Sequence, residues 1–264
     1  MGGKIGQLLL ETSPDQYDGL FAVCGNLGTS VANAEYGLDA RVLFDHYFPG
    51  VLPWSVWEDR KSLFADVLPA LQGAFVADPA GFVEKGRKLA SFDQLDLPLG
   101  SGTPPELLLS ILGSLTRFGG GAADLAEKAH GRPVGNAGRV YTSDLLGEEE
   151  LEALNESVAR FEADPQAARY LERYYAPDGR TGGTPVLALH TDGDAVVRPA
   201  INLAAYAEIL EEAGNADRFV ARVVPGFGHC EFGADLQPDA FLDVQLGAFE
   251  ELVAWAEGGP KPSP

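Results

Sequence analysis

Three short, almost wholly apolar runs constrain the fold of this chain more than any other feature. They are Leu20–Cys24, Thr184–His190 and Phe219–Val224. A parallel strand that is covered on both faces has this pattern, because both of its alternating sets of side chains are buried. Residues with helical spacing follow the second run, at 199–212, and the third run, up to 258. The sequence therefore predicts an α/β protein with a parallel sheet and helices packed on its faces.

Between the first and second runs lies a long stretch with helical periodicity and almost no strand-like alternation. Glycine and proline interrupt it repeatedly, as at Gly119-Gly120-Gly121. We interpret this stretch, residues 28–181, as a helical insertion into an α/β core. The core is then made of two segments, 1–27 and 182–258, and residues 259–264 form a tail.

Charge and composition exclude some classes of partner. The chain has 264 residues, with 39 acidic against 19 basic side chains and a net charge of −20. Phosphate backbones are repelled by such a surface, and no basic cluster offsets it, so we predict no nucleic-acid partner. No apolar stretch reaches the roughly 18–20 residues that a membrane span needs. We therefore predict no membrane span, and the oligomeric state stays open.

Two polar residues follow predicted strands where reactive groups gather in open α/β sheets, beyond the carboxyl ends of the strands. Asp194 comes after the strand that ends at His190-Thr191, and His229 comes after the strand that ends at Val224-Pro225. An aspartate that orients a histidine allows the imidazole to act as a general base. Taken alone, an aspartate after a strand is more often a helix N-cap, and a histidine in a glycine-rich loop usually has no special role. The pair in this order, 35 residues apart with one strand–helix–strand unit between them, favours catalysis.

The second core segment, residues 182–258, resembles the C-terminal part of the α/β-hydrolase family. In that family an acid follows the seventh strand in a pattern like H-G-x-x-D, and a histidine follows the eighth strand, often as G-H. The counterparts here are His190-Thr191-Asp192-Gly193-Asp194 and Gly228-His229. Thr191 stands where glycine is usual. Asp192 is a competing acid that we expect to tune or cap the loop. The resemblance implies a partial hydrolase sheet, made of the strands after the nucleophile elbow, with a large helical cap at 28–181.

The same resemblance bears on the nucleophile. Met1-Gly2-Gly3 before a helix and a buried strand is similar to the end of the family's G-x-S-M-G-G elbow. The implied serine immediately precedes Met1, whose backbone N–H is then the oxyanion-hole donor. On this hypothesis the chain alone is inactive. The alternative nucleophile is Ser30, which follows Gly28-Thr29, although we favour a helix N-cap for it.

The resemblance also gives meaning to the two cysteines. Cys24 ends the sixth strand of the family's sheet, and Cys230 adjoins the predicted catalytic histidine. We predict that they lie close together, as a disulfide that fixes the histidine loop or as two free thiols. A bridge implies export to the periplasm or beyond, and free thiols imply the cytoplasm.

The function predicted from the sequence is hydrolysis of a carboxyl ester or amide bond in a small molecule or short peptide. Asp194 and His229 are its predicted catalytic residues. No cysteine, histidine or carboxylate cluster has the spacing of metal ligands, so we predict no metal and no cofactor. Two alternatives remain, a non-catalytic binding protein of the same fold and a related hydrolase with an aspartate nucleophile. The residue that precedes Met1 distinguishes them.

Overall fold

The computed structural model describes residues 2–230 and 238–264, without the side chains of residues 174, 175, 227 and 238–240. The chain divides into two compact units. Unit 1 consists of Met1–Thr29 and Tyr175–Pro264, and unit 2 is Ser30–Tyr174. Unit 1 contains a parallel sheet with helices, so the predicted mixed α/β class is confirmed.

Three strands and ten α-helices are formed by the described residues. The strands are β1 (Leu20–Val23), β2 (Val186–Gly193) and β3 (Phe219–Phe227). The helices are α1 (Gly2–Thr12), α2 (Ser30–Tyr47), α3 (Leu68–Ala77), α4 (Pro79–Ala90), α5 (Pro104–Ser114), α6 (Ala122–Ala129), α7 (Glu148–Ser157), α8 (Pro165–Tyr175), α9 (Ala205–Glu212) and α10 (Pro238–Ala256). Turns of π-helix at Leu63–Val67 and Ala200–Ala204 lead directly into α3 and α9.

The sheet has the order β1-β2-β3, and both pairs of neighbours are parallel. Val186 of β2 lies opposite Leu20 on one side and Phe219 on the other. The register of β2 and β3 shifts between Thr191 and Gly193, where the ladder is irregular. Both β2 and β3 continue past the predicted ends, so the strands reach almost to Asp194 and His229.

Each face of the sheet has its own hydrophobic core, which explains why the strands are apolar throughout. On one face, α1 and α9 cover the strands; on the other, α10 does. The first core consists of Leu10, Ala22, Leu27, Val186, Ala188, Leu203, Tyr206, Leu210 and Phe219, and the second of Leu187, Leu189, Val220, Ala248, Leu252 and Trp255. Successive residues of β2 alternate between the two cores, as the period of two in a strand requires.

Two of the amphipathic helices turn a different face to the sheet than their apolar residues suggested. In α1, Ile5 and Leu9 are exposed, whereas Lys4, Gln7, Leu10 and Glu11 are buried. In α10, the stripe Leu242, Leu246, Phe249 and Val253 is exposed, and Ala248, Leu252 and Trp255 are buried. Periodicity identifies residues that share a side of a helix, but it does not determine which side meets the sheet.

The start of α1 approaches the loop after β1 so closely that Gly3 has no room for a side chain. A Cβ added at Gly3 would lie 2.5 Å from the Cα of Gly25, whereas a Cβ added at Gly2 would meet nothing within 4 Å. The Gly2-Gly3 pair therefore contains one glycine that packing requires and one that it does not.

We predict that Gly3→Ala destabilises unit 1 by about 1–3 kcal/mol, because the new methyl group overpacks against the backbone of Gly25. Gly2→Ala is the matched control, since both substitutions gain the same intrinsic helix propensity from alanine. The measurement is urea unfolding, with hydrogen exchange of the β1 and β2 amides to identify the unit. Equal stability of the two variants would contradict the close approach.

Unit 2 is organised around a buried arginine on its longest helix. Arg41, on α2, is 1% exposed. Its guanidinium donates to the backbone oxygens of Leu52 at 2.9 Å, Trp54 and Phe118 at 3.1 Å each, and it pairs with Asp45 at 2.9 Å. Two connecting segments are thus held by one side chain, and each of its three nitrogens donates a hydrogen bond.

A second buried charge in unit 2 belongs to Asp39. Its carboxylate accepts a hydrogen bond from Tyr141 Oη at 2.8 Å and pairs with Arg139 at 2.9 Å. Burial raises the pKa of Asp39 from 3.8 to about 6, against the opposing effect of Arg139. Its ionised form is therefore less favourable in the folded protein than in the unfolded chain.

A carboxyl group with a raised folded pKa contributes stability below the unfolded pKa and loses that contribution as the pH rises through the folded value. The free energy of unfolding of unit 2, relative to that of an Asp39→Asn variant, should therefore fall by up to about 3 kcal/mol between pH 4 and pH 7.5. The measurement is chemical unfolding at several pH values, with the exposed Asp144→Asn as control. A difference that stays constant with pH would contradict the raised pKa.

Among the described residues, no helix has the length and apolar character needed to cross a membrane.

Candidate active site

The carboxylate of Asp194 lies immediately after β2 and is completely buried. Its Oδ1 accepts hydrogen bonds from the backbone N–H groups of Val196 and Val197, both at 2.9 Å. Its Oδ2 lies 2.8 Å from Nδ1 of His229. The two backbone bonds fix the carboxylate as an Asx-type turn does, so that its second oxygen has a defined direction.

His229 lies two residues beyond β3, at the same edge of the sheet as Asp194. Its side chain is 35% exposed, while that of Asp194 is 0% exposed. When Nδ1–H donates to the carboxylate, the neutral ring carries its lone pair on Nε2. An oriented imidazole with a basic Nε2 near solvent can take a proton from a hydroxyl group or a water molecule.

The backbone that precedes His229 is held by the last residues of β2. Thr191 Oγ1 donates to the carbonyl oxygen of Gly228 at 2.8 Å, and Gly228 N–H donates to the oxygen of Gly193 at 3.0 Å. Asp192 Oδ1 accepts from the N–H of Gly226 at 2.9 Å. Asp192 therefore binds the backbone that leads to His229, which is the capping role expected of it. The partner of the imidazole is Asp194.

A disulfide between Cys24 and Cys230 holds the other side of the histidine. The two Cα atoms are 6.0 Å apart and 206 residues separate the cysteines in sequence. Both residues have a positive φ, 44° at Cys24 and 30° at Cys230. This conformation costs a non-glycine residue roughly 1–2 kcal/mol. His229 is thus confined between hydrogen bonds to β2 on one side and a covalent bond to the end of β1 on the other.

His190, near the end of β2, is a buried neighbour of the pair. It is 0% exposed, and its Nε2 lies 3.2 Å from the carbonyl oxygen of Gly25. Because a carbonyl can only accept, Nε2 carries the proton and Nδ1 a lone pair. Burial lowers the pKa of His190, against a smaller raising effect of Asp194, so the ring is neutral near pH 7.

The loop after β1 also depends on side chains from α1 and from the segment before α9. Its buried carbonyl groups need partners, because a buried polar group without one is costly. Lys4 Nζ donates to the oxygen of Gly28 at 2.6 Å, and Gln7 Nε2 donates to that of Leu27 at 2.7 Å. Asn202 Oδ1 accepts from the N–H of Gly28 at 3.2 Å. These contacts fix Leu27 and Gly28, and Cys24 itself is held by its N–H, which donates to the oxygen of Leu189 at 2.8 Å.

The structure thus brings together Asp194, His229, Cys24 and Cys230. Ser30 lies at the first position of α2, in unit 2. Met1, the predicted oxyanion-hole donor, lies outside the described residues. The supporting contacts of Thr191 and the contact of His190 with the carbonyl of Gly25 were not predicted from the sequence. The only indication in the sequence that Thr191 has a special role was that the α/β-hydrolase pattern usually has glycine at this position.

No family model, no curated protein and no solved structure matches this chain. What the site can do therefore rests on its own geometry.

Thr191→Val should loosen the His229 segment, because valine keeps the shape of threonine but leaves the carbonyl of Gly228 without its donor. We expect a loss of about 1 kcal/mol in the free energy of unfolding. We also expect a weaker Nδ1–H signal of His229 in proton NMR, which reports its hydrogen bond to Asp194. Thr191→Ser retains the hydroxyl group and should preserve the signal. An unchanged signal in the valine variant would show that Thr191 does not position the histidine.

Proposed function

We propose that this chain carries the acid–histidine pair of a serine hydrolase, and that the protein cleaves a carboxyl ester or amide bond in a small molecule or short peptide. The observation that carries the proposal is the 2.8 Å contact between Oδ2 of buried Asp194 and Nδ1 of half-exposed His229. In this mechanism His229 takes the proton of a serine hydroxyl group and later returns it to the leaving group.

The environment of Asp194 supports this role. Both oxygens of its carboxylate have donors, since Oδ1 accepts two backbone N–H bonds and Oδ2 accepts from the imidazole. The carboxylate keeps the imidazole in the tautomer with a basic Nε2, and it stabilises the imidazolium that forms during proton transfer. A helix N-cap needs only the backbone bonds. The contact to His229 is the additional feature that favours catalysis.

The fold supports the same proposal at a coarser level. Asp194 and His229 each follow one of two adjacent parallel strands, so they lie at the carboxyl edge of the sheet. Reactive groups in open α/β sheets gather at this edge. The hydrolase resemblance calls for a serine nucleophile, and Ser30 is the candidate for it within the chain.

The disulfide supports a location for this activity. Structural disulfides persist in oxidising compartments and are rare in the cytosol. Because Cys24–Cys230 adjoins His229, we propose that the protein acts after export, where the bridge stays closed.

The test is to express the protein from its complete gene, and to measure fluorophosphonate labelling and the hydrolysis of short-chain p-nitrophenyl esters. We expect a labelled serine and turnover. His229→Ala should lower kcat by about 10⁶-fold and Asp194→Asn by about 10⁴-fold, as in other triad enzymes.

His46→Ala is the matched control, since His46 lies on α2 in unit 2 and should leave turnover unchanged. Loss of labelling in Ser30→Ala would identify Ser30 as the nucleophile instead. Absence of both labelling and turnover, or turnover that survives His229→Ala, would overturn the proposal and favour a binding protein.

A further inference from the structure

Three buried side chains of unit 1 bring metal-ligating atoms together. Cys24, His190 and Asp194 each offer one such atom, and the three atoms all lie within 4.8 Å of one another. Their exposures are 6%, 0% and 0%. They come from the end of β1, from β2 and from the residue after β2, so the sheet itself fixes their spacing. Sequence spacing could not predict this set, because 165 residues lie between Cys24 and His190.

His190 has a feature that its structural role leaves unexplained. Its Nε2 is used by the carbonyl oxygen of Gly25. Nδ1 makes no hydrogen bond of normal geometry among the described residues, although a weak interaction with the backbone of Val197 raises the pKa of the ring slightly. A buried nitrogen without a partner costs free energy that a well-chosen core residue would avoid. A neutral imidazole with one N–H bound to a carbonyl and a free lone pair on the other nitrogen is also the usual state of a histidine metal ligand.

From this geometry we propose that opening of the Cys24–Cys230 disulfide creates a zinc site formed by Cys24, His190 and Asp194. Thiolate, imidazole and carboxylate are the ligands that Zn²⁺ takes in proteins, with bonds of about 2.0–2.3 Å. In a tetrahedral site with such bonds, two ligand atoms are about 3.3–3.7 Å apart. The three ligand atoms, which lie within 4.8 Å of one another, need to move together by up to about 1.5 Å, and water occupies the fourth position.

The chemistry of opening balances with a dithiol reductant. The dithiol supplies two electrons, the S–S bond breaks, each sulfur takes up one proton, and the reductant becomes a disulfide. Zinc then replaces the proton of the Cys24 thiol, which leaves to solvent as the thiolate binds. The closed bridge and the metal site exclude each other, since both need Sγ of Cys24.

Zinc binding also competes with the contact between Asp194 and His229. Oδ1 of Asp194 is held by two backbone N–H groups, so Oδ2 is the oxygen that has to turn to the metal. His229 then loses its partner. This consequence does not depend on the proposed hydrolase activity, because the state of the His229 ring can be observed directly.

The experiment uses Cys230→Ser, which keeps the Cys24 thiol without a reductant, and Cys24→Ser as the matched control with the same loss of the bridge. Each variant of the full chain is titrated with Zn²⁺ by calorimetry and with Co²⁺ by absorption. We expect one ion per chain and a thiolate-to-cobalt band in Cys230→Ser. In Cys24→Ser the thiolate-to-cobalt band should be absent. The affinity for Zn²⁺ should be at least about 100-fold weaker than in Cys230→Ser, because the loss of a direct ligand costs no less than the loss of an outer-shell partner. In proton NMR, the addition of zinc should remove the Nδ1–H signal of His229 in Cys230→Ser but not in Cys24→Ser.

If a serine variant fails to fold, the same titrations are carried out on wild-type protein whose Cys24–Cys230 disulfide has been reduced with a phosphine. The reduced protein should bind one zinc ion, and the oxidised protein should bind none at this site. Equal affinity of the two serine variants, or no thiolate-to-cobalt band in either Cys230→Ser or the reduced wild type, would overturn the proposal.

Discussion

The burial of β2 on both faces and along both edges is the constraint on which the rest of unit 1 depends. Its first residues are apolar and enter the two cores in alternation. His190 and Thr191, which follow in the same strand, are polar and equally buried, at no more than 3% exposed, whereas Asp192 is exposed. Buried polar groups require partners within the protein. Each one therefore reaches a neighbouring loop, His190 to Gly25 and Thr191 to Gly228.

The candidate site is a consequence of these satisfied contacts. Asp194, at the end of the same strand, uses one oxygen for the backbone ahead of it and the other for His229. The loops after β1 and β3 are then joined covalently by the disulfide. A histidine in a glycine-rich segment is thereby held in one orientation, as a general base must be.

Unit 2 shows the contrasting use of buried charge. Arg41 and Asp39 are as inaccessible as Asp194, yet their partners belong to the packing of helices and connecting segments. Asp39 does pair with the partly exposed Arg139, but a guanidinium stays protonated and cannot act as a general base, whereas the imidazole of His229 can. Burial of an ionisable group is therefore, by itself, a poor guide to function. The identity of the group that it contacts is a better guide. The aromatic residues Trp57, Phe118 and Tyr141 are likewise buried core of this unit.

The sequence by itself determined the three strands, their parallel arrangement, the helices between them and the two residues that follow the strand ends. Alternation of buried side chains and the position of the carboxyl edge are local consequences of strand geometry, so they can be read from one chain. Only the tertiary structure decided which face of α1 and α10 meets the sheet, because their apolar residues lie on more than one side. The tertiary structure alone also placed a ring nitrogen of His190 beside Cys24 and Asp194, and formed the hydrogen bond from Thr191 to Gly228. Those contacts join segments far apart in sequence, and the burial that enforces them exists only once the sheet has formed.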